Sequence, residues 1–270
     1  MAVTMRARSW TRIAMDFKQL PRLTSVAWQA LAGALGGLVL GVAQATTTAQ
    51  PPQPAQNEPW DFKATSSWYN SASTPEAVDL NLRAHRGAHT LWVGAYHDPN
   101  FDQGRAGWEY TVEGDDWQVV PSLQGATHGY ASGSFSAQLG QKVYTILGWG
   151  RSNLQPYMNL NFDPNDAYTL GAGMRGKRST LSLFMVKDDR LHTDQVVHHA
   201  VWRYSPQEGQ RWTVDLSSKR GRPAENEASV SGLGLTVSYD YHDYFVRVTQ
   251  EQKVNFTPDD QTRLALGMRF

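Results

Sequence analysis

The sequence has no cysteine in 270 residues. That excludes disulfides, thiolate metal sites, cysteine nucleophiles and an N-terminal lipid carried on Cys. It also has no net charge, with 25 Lys and Arg against 25 Asp and Glu. The balance is uneven: residues 1–45 hold five basic side chains (Arg6, Arg8, Arg12, Lys18, Arg22) and one acidic one, Asp16. The remainder carries 20 basic and 24 acidic residues. No basic stripe for a nucleic acid is expected there, and nucleic acid is not an expected partner. No stretch after Ala45 repeats apolar residues at a helical spacing, and no internal repeat is visible.

What is present begins with a secretory pattern. A basic segment precedes the apolar run Leu31–Val42, and Ala43-Gln44-Ala45 supplies small residues at a cleavage spacing. The run is about 12 residues, short of the ~20 a spanning helix needs, so residues 1–45 are expected to be a cleaved signal peptide. Met5 and Met15 are alternative starts. Residues 46–59 (TTTAQPPQPAQNEP) form a Pro/Gln/Thr linker with no apolar period, expected to be disordered.

From Trp60 onward the signal has period two. Val78, Leu80, Leu82 and Ala84 alternate with Asp79, Asn81, Arg83 and His85. Trp108 and Tyr110 alternate with Glu109, Trp212 and Val214 with Thr213 and Asp215, Val246 and Val248 with Arg247 and Thr249. Successive side chains of a strand point to opposite faces, so each run presents one apolar and one polar face. Turn-rich segments such as Glu113-Gly114-Asp115-Asp116 and Ser205-Pro206-Gln207-Glu208-Gly209 separate the runs. Ten Trp, eleven Tyr and 23 Gly accompany this pattern. Trp60, Trp108, Trp149, Trp202, Trp212, Tyr239 and Tyr244 fall on the apolar side near strand ends, where interfacial aromatics belong.

The final residues, Thr262 to Phe270, place Leu264, Leu266, Met268 and Phe270 on one side and Arg263, Ala265, Gly267 and Arg269 on the other. This resembles the closing strand of bacterial outer-membrane β-barrels, which ends in a Phe preceded by apolar residues at alternate positions. As a whole the chain resembles uncharacterised proteobacterial outer-membrane barrel proteins. The resemblance implies an all-β, transmembrane, antiparallel up-and-down barrel in outer-membrane lipid. It also implies delivery by the barrel-assembly machinery through the strand ending in Phe270. A monomer is the default, and no cofactor is expected.

Fifteen candidate strands can be counted, among them Tyr157–Phe162. A bacterial single-chain barrel has an even number, so the expectation is 14, with 12 and 16 as alternatives. The doubtful region is Trp117 to Leu139, where Gly125, Gly129 and Gly133 blur two strands. Connections are expected to be short, the longest near Ser218–Ala228, with no long plug loop.

The polar faces supply the candidate site. Asp79, Arg83, Arg105, Glu109, Arg203, Asp215, Arg247, Glu251, Arg263 and Arg269 are expected to line the lumen, either as an ion-paired filling or as a water channel. Arg outnumbers acid on these rows, which points to a weak anion preference. A narrow, weakly selective channel for small polar solutes is therefore the leading reading. A lipid hydrolase using His128 with Ser132 or Ser134 is an alternative, since a serine nucleophile needs a base in reach; the chain has no G-x-S-x-G. A non-conducting structural or surface-binding barrel is another. His192, His198, His199 and Asp194 form only a weak metal pattern, because adjacent His198 and His199 face opposite ways. Asp163-Pro164-Asn165-Asp166 reads as a turn and lacks the further ligands of a calcium loop.

Overall fold

The computed structural model describes residues 58–152, 160 and 162–270. The expected signal peptide and nearly all of the linker lie outside the described residues. The described chain is a succession of strands: β1 (Asp61–Ser71), β2 (Ala77–Arg86), β3 (His89–Asp98), β4 (Phe101–Tyr110), β5 (Val112–Glu113), β6 (Trp117–Ala126), β7 (Tyr130–Leu139) and β8 (Val143–Ser152). They continue as β9 (Ala167–Arg175), β10 (Ser179–Asp188), β11 (Val196–Tyr204), β12 (Gln210–Gly221), β13 (Val230–Tyr241), β14 (Tyr244–Glu251) and β15 (Gln261–Arg269).

Each strand pairs antiparallel with its sequence neighbours except that β4 and β5 both pair with β6 and not with each other, and β1 pairs with β15. The sheet therefore has no free edge. The two-residue β5 continues β4 along β6, for Glu109 opposes Ser122 and Val112 opposes Val119 in one unbroken register. The gap between them falls beside Pro121, which has no N–H to donate to the ladder. Counted this way, the barrel has 14 strands.

Closure is sealed at the ends of the chain. Nine residue pairs join β1 to β15, from Lys63 opposite Arg269 to Ser71 opposite Gln261. Beyond them, Phe62 and Phe270 exchange backbone hydrogen bonds of 2.8 and 3.0 Å, and their rings stack at 5.6 Å.

The region Trp117–Leu139 resolves into two full strands, β6 and β7, joined by a short 3-10 turn at Thr127–Gly129. The remaining candidate, Tyr157–Phe162, contributes no strand among the described residues. Most of it lies outside the described residues; of its described members, Leu160 is in a turn, and Phe162 has a φ of 63° and is buried. That angle lies in the left-handed region and not in the extended range of a strand. The widest spacing between described strands is residues 153–166, between β8 and β9, and not the segment near Ser218–Ala228, because β12 extends to Gly221.

The two rims differ. The rim bearing both chain ends uses connections of two to five residues, such as Gly87-Ala88 and His242-Asp243. The far rim carries the long ones, 153–166, 189–195, 222–229 and 252–260. Short turns face the periplasm in outer-membrane barrels and longer loops face outside.

Exposure settles which face meets what. Leu80, Val93, Leu123, Leu183, Leu216 and Leu266, all mid-strand, stand open on the exterior, Leu266 at 56 % exposure. Their strand neighbours Asp79, Ser182 and Ala265 are buried inside. Soluble proteins rarely expose a continuous apolar belt of this kind. In hydrocarbon an unpaired backbone group costs several kcal/mol, so a spanning sheet must close. A closed barrel of 8- to 12-residue strands with an apolar exterior meets both demands, and the chain is a protein of the bacterial outer membrane. Aromatic side chains gather at the chain-end rim, where Trp202 stacks on Tyr204 at 5.6 Å and Trp212 packs on Tyr239 at 4.5 Å.

Candidate functional site

The interior is built from the polar faces of the strands. One wall, β2 to β4, is neutralised by pairs that skip a strand. Arg105 on β4 reaches Asp79 on β2, and Arg83 reaches Glu109 at 3.2 Å. Between Asp79 and Arg105 lies β3, whose inward Gly94 stands opposite both Asn81 and Arg105. An added Cβ at Gly94 would sit 3.0 Å from Arg105 Nε. The bare glycine opens the window through which the guanidinium crosses. A similar device serves Glu251, which passes over Gly234 to meet Lys219 Nζ at 2.5 Å; the Lys219 side chain is wholly buried.

The opposite wall is quieter. Ser122 and Ser134 hydrogen-bond at 2.7 Å, Gln124 donates to Ser132 at 3.1 Å, and Tyr144 bonds with Ser182 at 2.7 Å.

Along β10 to β15 and β1 lies a cavity of about 460 Å³. Six cationic residues line it (Lys63, Arg203, Arg211, Arg247, Arg263, Arg269) against four acids (Asp163, Asp215, Asp240, Glu251). Six of the ten residues expected to line the lumen are thus at this cavity, and the other four form the paired wall of β2 and β4. Lys63, Arg211, Asp240, Lys219 and Asp163 were missing from the expected set. Arg211, Asp240 and Lys219 were recoverable by extending the period-two pattern of Trp212–Leu216 and Leu233–Tyr241 toward the strand ends.

The end of the 153–166 connection, Phe162 to Asp166, lies inside the barrel. Asp163 Oδ1 lies 3.2 Å from His199 Nε2, and His199 Nδ1 lies 3.1 Å from Asp215 on β12. The ring, stacked on Phe184 at 4.7 Å, therefore bridges a carboxylate of the wall and one of the inward loop. Asp166, almost wholly buried, anchors the loop's other end by accepting from the Ser152 backbone N–H at 2.7 Å and pairing with Arg190 at 2.9 Å. Phe162 joins Tyr69, Ala77, Tyr96 and Val254 in an apolar cluster inside the far rim. Arg263 is sandwiched there between the rings of Tyr69 and Phe162, at 5.8 and 5.6 Å. Connections are short, as expected, yet Phe162 and Asp163 at the end of this one reach the lumen. In the neighbouring 252–260 loop, the Lys253 backbone N–H donates to Asp260 at 3.1 Å and lowers the pKa of that carboxyl group.

His128 and the serines are not brought together. His128 sits in the far-rim turn at φ 69°, stacks on Phe101 at 5.4 Å and places Nε2 3.1 Å from the Asp102 carbonyl oxygen. Ser132 and Ser134 bond instead to Gln124 and Ser122. The histidines of the weak metal pattern also separate. His199 faces the lumen, His198 is exposed on the other face, and Asp194 pairs with Arg222 at 2.9 Å.

No protein-family model matches this sequence, and no curated protein does. Among solved structures the chain is similar to Acinetobacter baumannii OccAB3 at 7 % identity and TM-score 0.43, covering 78 % of this chain and 98 % of that one. It is similar to Salmonella typhi OmpF, solved in complex with daunomycin, at 10 % identity and TM-score 0.46, covering 78 % and 97 %. It is similar to the NanC porin at 6 % identity and TM-score 0.46, covering 77 % and 98 %.

Proposed function

We propose that this barrel is a narrow outer-membrane channel for small polar solutes, with a weak preference for anions. One observation carries the reading: the barrel encloses a cavity of about 460 Å³ lined by charges of both signs, with cations in excess. A lumen of charged rings in a low-dielectric wall biases the ions that cross it. Phe162 and Asp163 line the cavity beside β11 and β12, which makes them the residues this reading assigns to the constriction.

The test is incorporation of the purified barrel into planar bilayers under a potassium chloride gradient. Discrete conductance steps with a reversal potential on the anion side are expected. Silent bilayers at every voltage, from protein shown to be folded, would sink the proposal. A second reading, a non-conducting barrel with an envelope role, draws on the apolar cluster around Phe162 and Val254, and the same silent bilayers would favour it.

A further inference from the structure

Three adjacent strands set cations side by side at the chain-end rim. Lys63 on β1 stands directly opposite Arg83 on β2 and directly opposite Arg269 on β15. Like charges in direct cross-strand register destabilise a sheet, and this row is only partly neutralised. Arg83 has Glu109 and Arg269 has Asp240. Asp240 is itself shared, because Arg211 also reaches it at 3.2 Å.

Among the described residues, Lys63, Arg203 and Arg247 have no carboxylate partner. Lys63 Nζ lies instead 4.5 Å from the centre of the Phe245 ring, with Arg269 Cζ at 5.4 Å and Arg247 Cζ at 5.9 Å from the same ring. Phe245 can lie flat at this place because its partner on β15 is Gly267, where a Cβ would fall 2.3 Å from the ring. An aromatic face attracts cations but carries no net charge. The excess positive charge therefore stays open to the cavity. Arg203 and Arg247 add to it one level deeper, at a row that runs through Thr213 and Ser238.

We propose that the cluster of Lys63, Arg247 and Arg269 around Phe245, flanked by Arg203 and Arg211, binds a small polyanion. The ligand class is a solute bearing two or more carboxylate or phosphate groups, held at the periplasmic mouth of the lumen. Guanidinium groups present paired N–H donors that match either oxyanion. A cavity of about 460 Å³ lies within the range of small-ligand sites. The site rests on the lumen reading above for access and is independent of whether the barrel conducts.

The test is calorimetric titration of the intact barrel in neutral detergent at low salt, with citrate, pyrophosphate and acetate as probes. Saturable binding of citrate, pyrophosphate or both is expected, with acetate far weaker and the affinity falling as salt rises. Binding of one polyanion and not the other supports the site and assigns the oxyanion. The double variant Lys63→Gln/Arg247→Gln is expected to lose about tenfold or more in affinity, which is about 1.4 kcal/mol. Arg175→Gln removes one charge from β9 on the other side of the barrel and is expected to stay within about twofold. Heat-modifiable migration in electrophoresis checks that each variant is folded. Should the double variant fail that check, Lys63→Gln alone is measured, and an unchanged affinity overturns the proposal. Absence of saturable binding by either polyanion overturns it, as does an equal loss in Arg175→Gln. Conductance measured on the same preparation keeps the two readings apart: binding without current removes the channel and leaves the site, and current without binding does the reverse.

Discussion

Lys219 is the most exacting place to test the energetics of this interior. Its ammonium is buried on β12, 2.5 Å from Glu251 Oε1, donates to the Lys253 carbonyl at 3.1 Å, and lies 5.5 Å from the Phe256 ring. At that separation the gross Coulomb attraction is about 7 kcal/mol for an effective dielectric of about 20. Desolvating both ions consumes most of it, so the pair as a whole contributes little. Breaking it from one side is a different matter. Lys219→Met keeps the length of the side chain but strands the Glu251 carboxylate, and the expected loss of stability is about 3–5 kcal/mol. Replacing both partners, Lys219→Met with Glu251→Leu, removes the stranded charge. The Lys253 carbonyl loses one of two donors and keeps the Phe256 N–H at 2.9 Å, a cost of about 1 kcal/mol at most. The assay is urea unfolding in lipid vesicles followed by Trp fluorescence, run as a double-mutant cycle. A single variant within about 1 kcal/mol of the parent, or a double variant as damaged as the single, would refute the reasoning.

Three other perturbations probe separate parts of the structure. Leu183→Arg, on the open exterior of β10 at 55 % exposure, should cost about 2–4 kcal/mol in vesicle unfolding; a cost near zero would mean that this face does not meet acyl chains. Gly94→Val closes the window over β3 and pushes Arg105 away from Asp79, with an expected loss of about 1–3 kcal/mol by the same unfolding assay; full stability would show the window to be dispensable. His199→Phe preserves the stack on Phe184 but removes both carboxylate contacts, at about 1 kcal/mol of tethering. The displaced form of the inward loop should then be roughly fivefold more populated, and single-channel current should rise and become noisier; traces identical to the parent would show that His199 does not hold the loop.

Much of the site was legible in the strands themselves. The charged positions Asp215, Arg247, Arg263 and Arg269 alternate with exposed apolar residues, and a residue's face follows from its parity once a strand is recognised. The pairing was not legible. Arg105 and Asp79 are 26 residues apart in sequence and meet across β3 only because Gly94 leaves space there. The inward placement of Phe162 and Asp163 was hidden as well: Tyr157–Phe162 alternates like a strand, yet Phe162 has a positive φ and Asp163 meets His199 in the lumen.

Order of strands, outward and inward faces, and the need to close in lipid were set by local alternation, short turns and the demand that every backbone N–H and C=O find a partner. These are near-neighbour properties, and a linear chain displays them. Which charges neutralise one another, which remain open around Phe245, and which loop narrows the lumen depend on registers and clearances between strands far apart in sequence. Only closure of the barrel brings those groups within the few ångströms at which electrostatics and packing act.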